Sequence, residues 1–219
     1  MHNQTQSEMI QQSLLLYAVT DRSWLNGETL DAQVEQALRG GVTLVQLREK
    51  QLPEEDFLTE AIRMKELCAH YGVPLIINDN VEVALQSGAD GVHIGQSDMG
   101  AVQARRLLGP DKILGVSART LEQARLAEEQ GADYIGVGAV FATSTKLDAQ
   151  PVSRQELKNI CANISIPAVA IGGIGRDNIA TLAGSGIAGI AVVSAIFAQP
   201  DIQAAAGELR LLAQKAVES

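Results

Sequence analysis

Only two cysteines occur in the 219 residues, Cys68 and Cys161, in separate helical patterns and without a CxxC spacing. A disulfide framework or a thiolate metal site is therefore a poor reading, and inert thiols in a reducing cytosol are the expectation. No apolar run approaches the ~18–20 residues that span a bilayer. The polar start, residues 1–13, lacks the basic opening of a secretory signal. Lys and Arg total 17 against 26 Asp and Glu, a formal charge of −9, and nowhere form a long basic stripe. That argues against nucleic acid and acidic membrane surfaces as partners, but not against a small anion, which answers to local charges. No stretch rich in Pro, Ser or charge divides the chain. There is no Ser-His-Asp order, no cysteine nucleophile with a histidine partner and no zinc-ligand spacing. The reading is a cytoplasmic protein with a disordered tail over 1–13 and a single domain over 14–219.

What is present is a strand-then-helix unit repeated eight times. Short apolar strands are expected over 14–19, 43–48, 75–78, 91–94, 113–116, 134–137, 168–171 and 189–193, each followed by a helical pattern. The turn Gly88-Ala89-Asp90 returns as Gly131-Ala132-Asp133, with Gly186-Ile187-Ala188 a degenerate third. Each Gly suits the left-handed residue that ends a helix. Strands this short and uniformly apolar are buried on both faces. The fold class is α/β, a (β/α)8 TIM barrel. An open doubly wound sheet would carry a glycine-rich fingerprint after its first strand, where Thr20-Asp21-Arg22 stands instead.

A barrel gathers its chemistry at the carboxyl ends of its strands. The second strand ends Gln46-Leu47-Arg48-Glu49-Lys50; a period of two turns Gln46 and Arg48 inward and Leu47 toward the helices, with Lys50 continuing the inward series. Two cations and an amide on one inner strand end suit an anion, Arg as a planar fork and Lys as a compact charge. The competing reading is an internal salt bridge from Arg48 to Asp79, Asp98 or Glu49. Asp79 and Asp98 close the third and fourth strands, a donor set suited to Mg2+, although Asp98 also fits a helix cap near Met99. Ser117 ends the fifth strand. Thr143-Ser144-Thr145-Lys146 after the sixth suits a phosphate or diphosphate. Gly172-Gly173 after the seventh and Ser194 after the eighth suit a phosphate, with an extra helix from Ser194 to Phe197. His93, between apolar neighbours, reads as a buried, hydrogen-bonded side chain.

Taken together, Gln46-Leu47-Arg48-Glu49-Lys50, Ile77-Asn78-Asp79, Val92-His93-Ile94-Gly95-Gln96-Ser97-Asp98, Gly115-Val116-Ser117, Thr143-Ser144-Thr145-Lys146, Gly172-Gly173-Ile174 and Val193-Ser194-Ala195 resemble the thiamine-phosphate synthase family. Ala142 departs from it, standing where the family often has Pro. The resemblance implies condensation of hydroxymethylpyrimidine diphosphate with a thiazole phosphate, or its carboxylate form, releasing diphosphate. It implies that Gln46, Arg48, Lys50, Asn78, Ser117 and Lys146 hold the pyrimidine diphosphate, with Leu47 and Glu49 counted in the same substrate-binding run. Arg48, Lys50, Ser117 and Lys146 would be catalytic. Thr143, Ser144 and Thr145 would contact the thiazole phosphate, and Gly173, Val193 and Ser194 would close on its phosphate group. Asp79 and Asp98 would bind Mg2+. Partners are small molecules, and a homodimer is left open. The alternatives are a thiazole tautomerase, disfavoured because no His stands near Ser117-Ala118-Arg119-Thr120, and a non-catalytic phosphate-binding barrel.

Overall fold

The computed structural model describes residues 2–143 and 151–219, and in it eight parallel strands close on one another in chain order. The strands are β1 (Leu16–Val19), β2 (Leu44–Leu47), β3 (Leu75–Asn78), β4 (Gly91–Ile94), β5 (Ile113–Ala118), β6 (Tyr134–Gly138), β7 (Ala168–Ile171) and β8 (Gly189–Val192). Among the described residues the α-helices are α1 (His2–Ser13), α2 (Leu30–Arg39), α3 (Glu54–His70), α4 (Val81–Gln86), α5 (Ala101–Leu108), α6 (Leu121–Glu129), α7 (Arg154–Ala162), α8 (Ser194–Phe197) and α9 (Ile202–Val217). The expected barrel is the observed one.

Two apolar layers follow from the alternation of side chains along a strand. Leu16, Ala18, Val45, Leu47, Leu75 and Ile77 point outward to the helices. Tyr17, Val19, Leu44, Ile76, Tyr134 and Val169 fill the interior. Helix entry is fixed by side-chain caps: Thr29, Thr120, Ser153 and Asp201 each accept the N–H three residues on. Cys68 is buried, which pushes its thiol up to about 12 and fits an inert role. Among the described residues no helix is long and apolar enough to cross a membrane.

The repeated Gly-Ala-Asp turn proves to be a fastener between neighbouring strands. Asp90 donates its N–H to Leu75 O at 2.9 Å while its Oδ2 accepts Leu75 N–H at 2.7 Å. Asp133 does the same to Leu114, both contacts at 2.7 Å. A cation closes each turn, Lys65 on Asp90 at 2.6 Å and Arg105 on Asp133 at 2.5 Å. Arg105 also donates to the carbonyls of Gly109, Lys112 and Gly131. The degenerate third turn keeps only the backbone half, Ala188 N–H to Ala168 O at 2.8 Å.

Two local features differ from the sequence pattern. His2–Ser13 is helical, with Ile10 and Leu14 packed into the interior cluster that contains Tyr17 and Tyr134. Polar composition hid this, because a single apolar side chain, Ile10, anchors the helix. The helix expected over 177–183 is a short 3-10 turn, Ile179–Leu182.

Asp133→Ala removes the acceptor of the Leu114 N–H and the partner of Arg105. It should lower unfolding free energy by about 1–3 kcal/mol, read from urea denaturation.

Candidate active site

The carboxyl ends of the strands surround one cavity. Gln46, Arg48, Asn78 and Ser117 line it from β2, β3 and β5, with Thr143, Gly172, Gly173, Val193 and Ser194 lining it from the later loops. Closure in register brings these positions together: Val19 pairs with Gln46, Asn78 with His93, and Ser117 with Gly136.

Arg48 is held before any ligand arrives. Its N–H donates to the buried Thr20 Oγ1 at 3.0 Å, and Nη1 donates to Asp21 Oδ2 at 3.2 Å. The competing reading of the sequence gave Arg48 an internal salt bridge to Asp79, Asp98 or Glu49; such a bridge forms, but its partner is Asp21, just past the end of the neighbouring strand. Partial burial alone would raise the Asp21 carboxyl, but hydrogen bonds from Ser23 and the charges of Arg48 and Lys50 outweigh it and hold the group below its ordinary value. Lys50 is exposed and outside the cavity wall.

The other members of that run stand elsewhere. Leu47 is fully buried between sheet and helices, so its side chain has no access to a ligand. Glu49 accepts from Arg22 Nε at 2.8 Å, and Arg22 Nη2 grips Glu60 at 2.6 Å. Burial and the nearby Glu60 raise the Glu49 carboxyl against the pull of Arg22. Neither Leu47 nor Glu49 belongs to the cavity wall.

Asp79 and Asp98 lie exposed just past the ends of adjacent strands, at the rim and outside the cavity wall. Asp79 adopts φ 63°, a left-handed conformation that costs an L-residue about 1–3 kcal/mol. It is secured by its N–H on His93 O at 2.8 Å and by Asn78 Nδ2 on its Oδ2 at 2.6 Å. Asp98 does not cap the following helix, whose N-cap is Gly100; its Oδ2 accepts the Gly95 N–H at 2.6 Å. Among the described residues no three His, Cys, Asp or Glu side chains converge as a metal cage. Two rim carboxylates nonetheless fit Mg2+, which commonly takes one or two carboxylates and completes its shell with water and phosphate oxygens.

Gly172 and Gly173 both have positive φ, 97° and 62°. A Cβ on Gly173 would lie 2.3 Å from Ala142 O, so no larger residue fits without moving that loop. The short α8 begins at Ser194, as expected. Ser144, Thr145 and Lys146 lie outside the described residues. Sequence reasoning missed Arg119 and Tyr17, which also line the cavity. For Arg119 the signal existed: it stands two residues beyond Ser117, on the same side of an extended strand. His93 is buried and hydrogen-bonded, as expected, through Tyr134 and Ser117.

Comparison with known proteins bears on this cavity. The family model described as thiamine monophosphate synthase matches residues 16–196. The chain belongs to that family. It is 54% identical over 194 residues to the thiamine-phosphate synthase of Ruminiclostridium cellulolyticum, covering 89% of this chain and 92% of the relative. It is 51% identical over 195 residues to that of Clostridium beijerinckii, covering 89% and 93%. The thiamine phosphate pyrophosphorylase of Pyrococcus furiosus superposes with a TM-score of 0.88 at 36% identity, over 95% of this chain and 99% of that one. A 3-hexulose-6-phosphate synthase, at 19% identity and TM-score 0.67, shares the barrel alone.

Folding lowers the Asp21 pKa, so the stabilisation from its contacts is full above the ordinary value of 3.8 and is lost as pH falls through the lower, folded value. Carbon-detected NMR titration should find Asp21 below 3.8 in the native protein, and Arg48→Ala should move it upward.

Proposed function

We propose that this member of the family joins 4-amino-2-methyl-5-(hydroxymethyl)pyrimidine diphosphate to a thiazole phosphate, giving thiamine phosphate and diphosphate, as a cytoplasmic biosynthetic transferase. The observation that carries the reading is one cavity shared by an anchored arginine just past β2 and a glycine-rich pair after β7, in a chain about half identical to curated synthases. On this reading each of the two phosphorylated ligands takes its own end of the site.

The difficult step is cleavage of the carbon–oxygen bond between the pyrimidine methylene and the diphosphate. The electron pair leaves with the diphosphate oxygen, and the aminopyrimidine ring stabilises the cation left on the methylene. Arg48, Lys50 and Lys146 offset the charge gathering on the leaving group, and Arg48 needs little reorganisation because Thr20 and Asp21 already hold it. Asn78, Ser117 and Gln46 orient the pyrimidine end. Thr143, Ser144 and Thr145 contact the thiazole phosphate, and Gly173, Val193 and Ser194 close on its phosphate group. The thiazole ring nitrogen then donates its lone pair to the methylene carbon, forming the carbon–nitrogen bond. No protein nucleophile is required, so positioning does the remainder. Asp79 and Asp98 would hold Mg2+, which when bound supplies countercharge to the diphosphate oxygens.

Mixing the two substrates with Mg2+ should yield thiamine phosphate and diphosphate in equal amounts, and EDTA should stop the reaction. Arg48→Ala and Lys146→Ala should each lower kcat roughly 10²–10³-fold. Their melting temperatures should stay near that of the parent, checked by differential scanning fluorimetry. A rate unchanged in either variant removes that residue from the role given to it.

A further inference from the structure

A chain of hydrogen bonds crosses the barrel interior between two strand ends. Gln46 Nε2 donates to Tyr17 Oη at 2.5 Å, and the phenols of Tyr17 and Tyr134 meet at 2.8 Å. Tyr134 Oη meets His93 Nδ1 at 2.9 Å, and His93 Nε2 meets Ser117 Oγ at 2.9 Å. Four of the five members, Gln46, Tyr17, His93 and Ser117, line the cavity; Tyr134, in the middle, is fully buried and does not.

Two strands give up side chains to seat this series. A Cβ on Gly115 would lie 2.1 Å from Tyr134 Cζ, and one on Gly136 would lie 3.0 Å from His93 Cε1. Glycine weakens a strand interior, so its use at both places follows from the rings it accommodates.

Proton counting fixes what the two ends display. Burial pushes both phenols well above the ordinary tyrosine value, so each keeps its single hydrogen. The count takes the His93 imidazole in its neutral form, which has one N–H. With Gln46 Nε2 donating, Tyr17 gives its hydrogen to Tyr134, Tyr134 gives its own to His93 Nδ1, and Nε2–H donates to Ser117 Oγ. The Ser117 hydrogen is then available to a ligand, and so is the acceptor Oε1 of Gln46. A half-turn of the amide reverses every bond in the series. In either sense, one end donates where the other accepts.

We propose that this buried series makes Gln46 and Ser117 a coupled acceptor–donor pair that selects the pyrimidine ring, with Tyr134 and His93 as positioning residues. The proposal rests on the assignment of an aminopyrimidine diphosphate as substrate. A 4-aminopyrimidine brings amino N–H donors beside ring-nitrogen lone pairs, matching an acceptor at Gln46 and a donor at Ser117. The 4-oxo ring puts a carbonyl where the amino group was and a hydrogen on the adjacent nitrogen. Its binding demands reversal of the whole series rather than of one side chain.

Tyr134→Phe deletes one hydroxyl that lies outside the cavity wall, so any change in ligand preference must travel through the series. The measurement is kcat/KM for the 4-amino and 4-oxo pyrimidine diphosphates at saturating thiazole phosphate. In the parent protein the amino form should be preferred, and in Tyr134→Phe that preference should fall at least ten-fold. His93→Phe, which cuts the series at its other ring, should give the same fall, and His93→Gln, keeping a donor and an acceptor, should recover part of it. An unchanged preference in Tyr134→Phe or His93→Phe, including equal losses on both substrates, overturns the proposal. Should the parent release no diphosphate from either compound, the activity reading is what fails. Calorimetric titration of the two pyrimidine diphosphates then tests the pairing without turnover, and equal discrimination by parent and Tyr134→Phe overturns it.

Discussion

Closure of the parallel sheet is the constraint from which the rest descends. A strand of four to six residues has little stability alone, and eight of them in a ring leave no edge. All eight carboxyl ends then face one way, and neighbours are locked in register by the backbone ladder. Side chains far apart in sequence are thereby held at fixed heights. Gln46, Asn78, His93 and Ser117 become neighbours although 71 residues separate the first from the last. The aspartate turns at Asp90 and Asp133 reinforce this arrangement, each tying an N–H near the start of one strand to the chain entering the next.

Within that frame an acidic protein can still receive strongly anionic ligands. The net charge describes the surface averaged over all directions, whereas the cavity wall presents Arg48 and Arg119 with polar amides and hydroxyls. Asp21 has a double effect on Arg48. It reduces the net positive potential, yet it also keeps the guanidinium in place, so less conformational freedom is lost when an anion arrives. Thr20 does the equivalent for the backbone at the same residue.

Much of this was legible in the sequence. Alternation of apolar runs with helical patterns gave the barrel, and the period of two placed Gln46 and Arg48 on the inner face and Leu47 on the outer. What escaped were pairings between elements. Asp21 looked like the end of a strand because nothing in a linear reading brings it beside Arg48. Tyr17 looked like one more apolar strand residue, since its hydroxyl acquires meaning only across the barrel from Tyr134. Glu49 was counted with its neighbours, but Arg22 and Glu60 claim it from other elements. The helix His2–Ser13 left no pattern to read because the segment is polar; it contributes through Ile10 and the following Leu14, too few residues for a periodic signal.

That leading helix also caps the base of the barrel's apolar interior. Ile10 and Leu14 sit in the same interior cluster as Tyr17 and Tyr134, at the end away from the ligands. Trimming the chain to Ser13 would strip Ile10 from that cluster and leave Leu14 as the part of the segment still packed there.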